Sequence, residues 1–230
     1  MFANIDNKKK KLDELRPLNP ETVKSIREKL LLDWTYNSNA IEGNTLTLIE
    51  TKVVLEGITI GGKTLREHLE VINHKEAILY VEEIVKNQEP LSQWQIKNIH
   101  GIVLKGIDDK YCGRYWDQNV FISGALHIPP DFILLDDLMN EFINWYNTDA
   151  QEIHLIERAA LVHGEFVKIH PFIDGNGRTA RLLLNLELMK AGYPPIVIKN
   201  ERRVQYYETL DEAHTKGDYN KFINIVKEEV

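Results

Sequence analysis

Apolar residues recur along most of this chain at the three- and four-residue spacing of one helix face. Val23, Ile26, Leu30 and Trp34 set that spacing in "NPETVKSIREKLLLDWTYNSNAIEGN". Asn19 can cap the segment, Pro20 suits its first turn, Glu21 suits its positive end, and Gly43 marks its stop. "TLTLIETKVVLEG" predicts a second helix ending near Gly57, and "TIGG" predicts a turn. A longer amphipathic helix follows in "KTLREHLEVINHKEAILYVEEIVKN", then another in "LSQWQIKNIHGIVLKG". The pattern breaks at "RYWDQNVFISGALHIPP". Asn119 to Ile122 and Ala125 to Ile128 are short β-capable runs around a Ser-Gly pair, which predicts a small hairpin ended by Pro129 and Pro130. Helical spacing resumes in "DFILLDDLMNEFINWYNT", "EIHLIERAALVHGEFVKI", "RRVQYYETLDEAHTKG" and "DYNKFINIVKEEV".

These elements predict an all-α fold, a helical bundle with one short β-hairpin. There is no internal repeat, low-complexity tract or Gly-Ser linker, and 230 residues suit one compact unit with a helical extension at its start. The lysine run Lys8 to Lys11 reads as a solvated lead-in.

Composition then narrows the function. Hydrophobic content of 43% supplies a core, and the net charge of −7 argues against a nucleic-acid or membrane-surface binder, both of which need a basic face. A single cysteine, Cys112, rules out an internal disulfide and points to a reducing compartment. No apolar run approaches a membrane span, and "MFANIDNKKKKLDEL" lacks the apolar core of a signal peptide, so a cytoplasmic protein is expected.

The chemistry is concentrated in "HPFIDGNGRTAR", His170 to Arg181. Pro171 disfavours helical geometry at His170 and forces a break. A new helix from about Gly175 to Ala191, stopped by Gly192, would present its unpaired first-turn N–H groups as an anion site. Gly175 and Gly177 let the backbone approach a ligand, and Asn176 can add an amide donor. Arg178 and Arg181 share one face at i and i+3. "LLLNLELM" after them is apolar nearly all round, so these arginines enter a buried helix and need an anionic partner. Asp174 offers a hard oxygen for Mg²⁺, with Mn²⁺ as a substitute, and His170 is a general base for a hydroxyl nucleophile. The competing reading is a glycine-rich helix start with solvated arginines; it leaves His170, Asp174 and the apolar run unexplained.

"HPFIDGNGRTAR" resembles the complete signature of the Fic family, His-x-Phe-x-Asp/Glu-Gly-Asn-Gly-Arg-x-x-Arg, at every specified position. The likeness extends from about Lys63 to the end, which divides the chain into an extension, 1–62, and a Fic core, 63–230. It implies a helical core with a hairpin flap over the site. It also implies transfer of AMP from ATP to a Ser, Thr or Tyr hydroxyl of a target protein, or of the enzyme itself, with release of pyrophosphate. In that scheme His170 deprotonates the hydroxyl, Phe172 anchors the loop and Asp174 holds Mg²⁺. Gly175, Asn176, Gly177, Arg178 and Arg181 bind the phosphates. Phe121, Ile122 and Ala125 on the flap would dock an extended target segment by strand addition, and Tyr206 and Tyr207 would line an adenine pocket.

"SNAIEGN", Ser38 to Asn44, is similar to the family's inhibitory motif, Ser/Thr-x-x-x-Glu-Gly/Asn. Glu42 falls in the last turn of its predicted helix, where the dipole disfavours a carboxylate and a cationic partner is gained. Ser38, one turn earlier, could orient it. The resemblance implies that Glu42 pairs with Arg181 at rest and holds the enzyme off. An isologous dimer that holds this helix in place is a further expectation. Competing functions are removal of AMP with Glu42 positioning a water, use of another nucleotide donor, or a non-catalytic nucleotide sensor, which would need no general base. The histidines His154 and His163 form no metal motif with His170, and His163 reads as a hydrogen-bonded core residue.

Overall fold

Local side chains fix where the first helices begin. Asn19 Oδ1 accepts from the N–H groups of Glu21 and Thr22 at 2.9 and 3.3 Å. Thr47 with Glu50, and Thr64 with Glu67, form reciprocal capping boxes at the next two starts. The structure, a computed structural model, describes residues 2–122 and 124–230. Its helices there are α1 (Ala3–Glu14), α2 (Pro20–Ile41), α3 (Leu48–Leu55), α4 (Leu65–Lys86), α5 (Gln93–Leu104), α6 (Leu135–Asn147), α7 (Leu155–Ile169), α8 (Asn176–Lys190), α9 (Arg203–Lys216) and α10 (Asn220–Glu229).

Helix α8 is the axis of the bundle. Leu182, Leu183, Leu184, Leu186 and Leu188 are all buried, on every side of it, each contributing about 1.5–3 kcal/mol of apolar burial. Helices α7, α4, α5 and α2 surround α8. Two buried polar side chains in the second half of this helix are paired: Glu187 accepts from Tyr146 at 2.7 Å and Arg158 at 3.1 Å, and Asn185 exchanges two hydrogen bonds with the backbone of Ile196. Such pairing is what permits a carboxylate in a core helix.

Three expectations change. The lysine run is not a lead-in but part of α1; Lys8, Lys10 and Lys11 face solvent while Phe2 and Ile5 anchor the helix, Phe2 stacking on His154 at 4.0 Å. On α2, Val23 and Ile26 remain 44% and 48% exposed, and full burial begins only at Trp34, because the first half of the helix overhangs the bundle. The hairpin has its turn but not its ladder. Ala125 N–H donates to the Ile122 carbonyl at 3.3 Å, yet no residue described between Asn119 and Ile128 is in a strand; Ser123 lies outside the described residues. The N–H groups of Leu126 and His127 go instead to Asp211 Oδ1 on α9, both at 2.9 Å. With its donors taken by a carboxylate, that arm has no cross-strand partner to pair with.

Candidate active site

The loop from His170 to Gly175 joins α7 to α8, and its shape is enforced from several sides. His170 closes α7 with φ 52° and ψ 54°, a left-handed conformation that non-glycine residues seldom hold and that concentrates at functional sites. Trp116 Nε1 donates to the His170 carbonyl at 2.7 Å and so holds the backbone there. Phe172 is fully buried and stacks on His100 at 3.6 Å with an interplanar angle of 3°. His100 accepts from the Gly113 N–H at Nδ1 and donates from Nε2 to the Asp174 carbonyl, at 3.0 and 2.9 Å. That pairing makes it a neutral tautomer, and burial keeps it neutral down to about pH 4.

His170 is also held down to about 4, chiefly by burial, against the opposing Val167 carbonyl and the Glu42 and Asp174 carboxylates. It is therefore a free base at neutral pH. Its Nδ1 is buried, which leaves Nε2 as the nitrogen that can meet a hydroxyl.

Asn176 does not face the anion site. Its amide donates to the Phe172 carbonyl at 2.6 Å and accepts from the Phe172 N–H at 3.0 Å, stapling the loop to the first turn of α8. Gly175, with φ 77°, forms the left-handed N-cap, and its N–H donates to Asp174 Oδ1 at 2.5 Å.

The two arginines differ in how their donors are used. Every nitrogen of Arg181 is engaged: Nε donates to Ser38 Oγ at 3.0 Å, Nη1 to Tyr206 Oη at 3.1 Å, and Nη2 to the Ser38 carbonyl at 2.8 Å and Glu42 Oε1 at 2.7 Å. Ser38 thus orients Arg181 rather than Glu42. Gly177 makes the approach of Glu42 possible, since a Cβ there would sit 2.3 Å from Glu42 Oε1. Arg178 is 1% exposed, and its Nε and Nη1 have no hydrogen-bond partner. Its Nη2 donates to Asp174 Oδ1 at 3.1 Å, and Nη1 lies 3.3 Å from Glu70 Oε1 on α4. A buried guanidinium with spare donors is suited to an incoming anion.

Asp174 is gripped by cations on both oxygens. Oδ2 receives Arg66 Nη2, while Oδ1 receives Arg178 and the Gly175 N–H. Burial alone would raise this carboxyl; Arg178, the Gly175 N–H and Arg66 outweigh it and hold it below the usual range. No group of three or more His, Cys, Asp or Glu converges among the described residues. One carboxylate at a helix mouth fits Mg²⁺, which takes most of its ligands from phosphates and water, and does not fit zinc.

Tyr206 does not line an open pocket: it is 1% exposed, and its hydroxyl joins Arg181 to His163 Nε2 at 2.9 Å. His163 is the hydrogen-bonded core residue expected. Tyr207, 40% exposed, keeps an accessible ring and bonds the Ile41 carbonyl at 3.0 Å, tying down the end of α2. On the flap, Phe121 is exposed and Ile122 and Ala125 are half-buried. Reading the sequence missed Glu70, Arg66, His100 and Trp116. The first two sit one helical turn apart in "LREHLE", a spacing that reads as an ordinary surface ion pair.

A model of the Fic/DOC family matches residues 90–188. The chain is 41% identical over 229 residues to "Protein adenylyltransferase Fic" of Nematostella vectensis, covering 98% of this chain and 53% of that protein. Among solved structures, a Fic domain containing signaling protein from Bacteroides thetaiotaomicron superposes with a TM-score of 0.91 at 31% identity, covering 98% of this chain and 92% of that one. Fic-1 from C. elegans superposes with a TM-score of 0.85 at 35% identity, covering 94% and 65%. The chain spans about half the length of the curated relatives it matches. Among the described residues no helix is long and apolar enough to cross a membrane.

Proposed function

This chain belongs to the Fic/DOC family, and from that premise we propose that it transfers AMP from ATP to a Ser, Thr or Tyr hydroxyl of a protein, itself included. The single observation that carries the reading is Arg178: a buried guanidinium at the N-terminus of a buried helix, with more donors than Asp174 and Glu70 use, in a loop-helix unit that begins at the neutral imidazole of His170. His170 Nε2 takes the hydroxyl proton as the hydroxyl oxygen bonds to the α-phosphorus. The bond from that phosphorus to the bridging oxygen breaks, and pyrophosphate leaves with the electron pair. Arg178 and the first-turn N–H groups of α8 bind the phosphate oxygens. Asp174 would hold Mg²⁺, which when bound neutralises charge on the phosphates. Phe172 and Asn176 keep the loop in register.

Residues 1–62 act as the regulatory extension and 63–230 as the core. With all three nitrogens of Arg181 engaged by Ser38, Tyr206 and Glu42, the resting site holds the second phosphate arginine away from ATP. Phe121, Ile122 and Ala125 dock the target, and Tyr207 borders the adenine. A homodimer bracing α2 and a cytoplasmic setting, where Cys112 stays reduced, complete the proposal. Glu42→Gly incubated with α-labelled ATP should label itself, and adding His170→Ala should abolish the label; labelling that survives the histidine change would reject the mechanism.

A second reading, removal of AMP from a modified protein, is favoured by Glu42 Oε2, which accepts no hydrogen bond from the described residues and could orient a water. Release of AMP from pre-modified target by the wild-type chain, and not by Glu42→Gly, would support it.

A further inference from the structure

Arg66 is the one cation at the site that no part of this function uses. It lies on α4, one turn before Glu70, and its side chain is 56% exposed. Its Nε donates to Glu70 Oε1 at 3.1 Å, and its Nη2 reaches across to Asp174 Oδ2, on the oxygen facing away from Arg178. We propose that Arg66 is a metal-placeholder residue: its guanidinium occupies the coordination position on Asp174 Oδ2 and must leave before a divalent cation can bind, so it sets the site's metal affinity.

This inference rests on the assignment of Asp174 as the metal ligand. A carboxylate oxygen cannot accept a guanidinium and a dication along the same direction, and the two positive charges repel at contact distance. Two cations hold Asp174, but only one can move. Arg178, at 1% exposure, is fixed by the packing of α8, whereas the half-exposed Arg66 can turn as a unit away from Asp174 and keep Glu70, one turn along its own helix, as its ion-pair partner. Displacement therefore costs one half-exposed ion pair and no buried group. In the resting site the placeholder also has a use. It holds the carboxylate oxygen in place, so the ligand is preformed when nucleotide and metal arrive together.

The test is equilibrium binding of Mn²⁺, followed by electron paramagnetic resonance, to the full chain saturated with a non-hydrolysable ATP analogue. Arg66→Gln should bind Mn²⁺ about fivefold more tightly than wild type, the factor set by losing a half-exposed ion pair of about 1 kcal/mol. Arg66→Lys, which keeps a charge in reach, should stay near wild type. Added monovalent salt should narrow the gap between wild type and Arg66→Gln, because it screens the exposed pair. Unchanged or weaker Mn²⁺ binding in Arg66→Gln overturns the proposal. Asp174→Asn separates the two levels. If it abolishes Mn²⁺ binding while Arg66→Gln has no effect, the placeholder fails and the metal assignment stands. If it leaves Mn²⁺ binding intact, the metal assignment fails and takes the placeholder with it.

Discussion

Replacing Glu42 with glycine should release the site, and the size of the effect can be worked from one contact. Glu42 Oε1 meets Arg181 Nη2 at 2.7 Å, with the arginine side chain 4% exposed and the glutamate 29% exposed. A charge-assisted hydrogen bond of this kind contributes about 1.5–3 kcal/mol. In the proposed mechanism ATP breaks it to recruit Arg181, so at about 1.4 kcal/mol per tenfold the pair should suppress turnover by roughly 10- to 150-fold. Misplacement of the reacting phosphorus by about 1 Å would give a penalty of similar size, ~10²-fold. Initial rates of pyrophosphate release at subsaturating ATP measure the effect directly. Glu42→Gly should rise into that range and Glu42→Gln less, since the amide can still accept one hydrogen bond. Glu42→Gly should also melt lower without nucleotide, by about 2–4 °C for each kcal/mol lost. A rate within twofold of wild type would refute the reasoning, because it would mean that Arg181 is not what Glu42 withholds.

Stability should fall on mild acidification. Burial holds His100, His170 and His214 each down to about 4, below the ordinary 6.5, so the unfolded chain binds protons that the folded one refuses. Stability from these groups is complete above pH 6.5 and is lost as pH drops toward 4, about 2 kcal/mol for each histidine by pH 5. Urea midpoints at pH 7 and pH 5 check this; equal midpoints would contradict it. Asn176→Ala removes both bonds to the Phe172 backbone and should cost about 1–3 kcal/mol and depress turnover, whereas a phosphate ligand alone would lower ATP affinity without changing the melting temperature of the nucleotide-free chain.

What the sequence made legible follows from how local each signal is. His170 to Arg181 is contiguous, so its helix start, its glycines and the need of both arginines for anions could be read before any contact was known. Glu42 was legible mainly through the likeness of "SNAIEGN" to the family's inhibitory motif; an acid at the wrong end of a helix dipole was a weaker signal. Contacts made by tertiary packing were not. Asn176 resembles a phosphate donor until Phe172 folds back onto it, and Tyr206 resembles a base-stacking ring until α9 docks and seals it. Ser38 was placed beside Glu42 by helical spacing, but its hydroxyl and carbonyl both accept from Arg181 on α8. Glu70 and Arg66 are invisible for the same reason: a helix-surface pair and a site-facing pair have identical spacing. The hairpin failed differently, because residues able to form strands acquire ladders only when a partner is available, and Asp211 takes that place.

In the proposed reaction, neutral His170 drives adenylyl transfer onto a hydroxyl. Its most direct test is intact and tandem mass spectrometry of Glu42→Gly and of Glu42→Gly with His170→Ala after incubation with Mg²⁺ and ATP labelled at either the α- or the γ-phosphate. The single variant should carry one or more adenylyl groups on Ser, Thr or Tyr, labelled from the α-phosphate only, and the double variant none. Label arriving from the γ-phosphate, or an adduct that persists without the histidine, would contradict it.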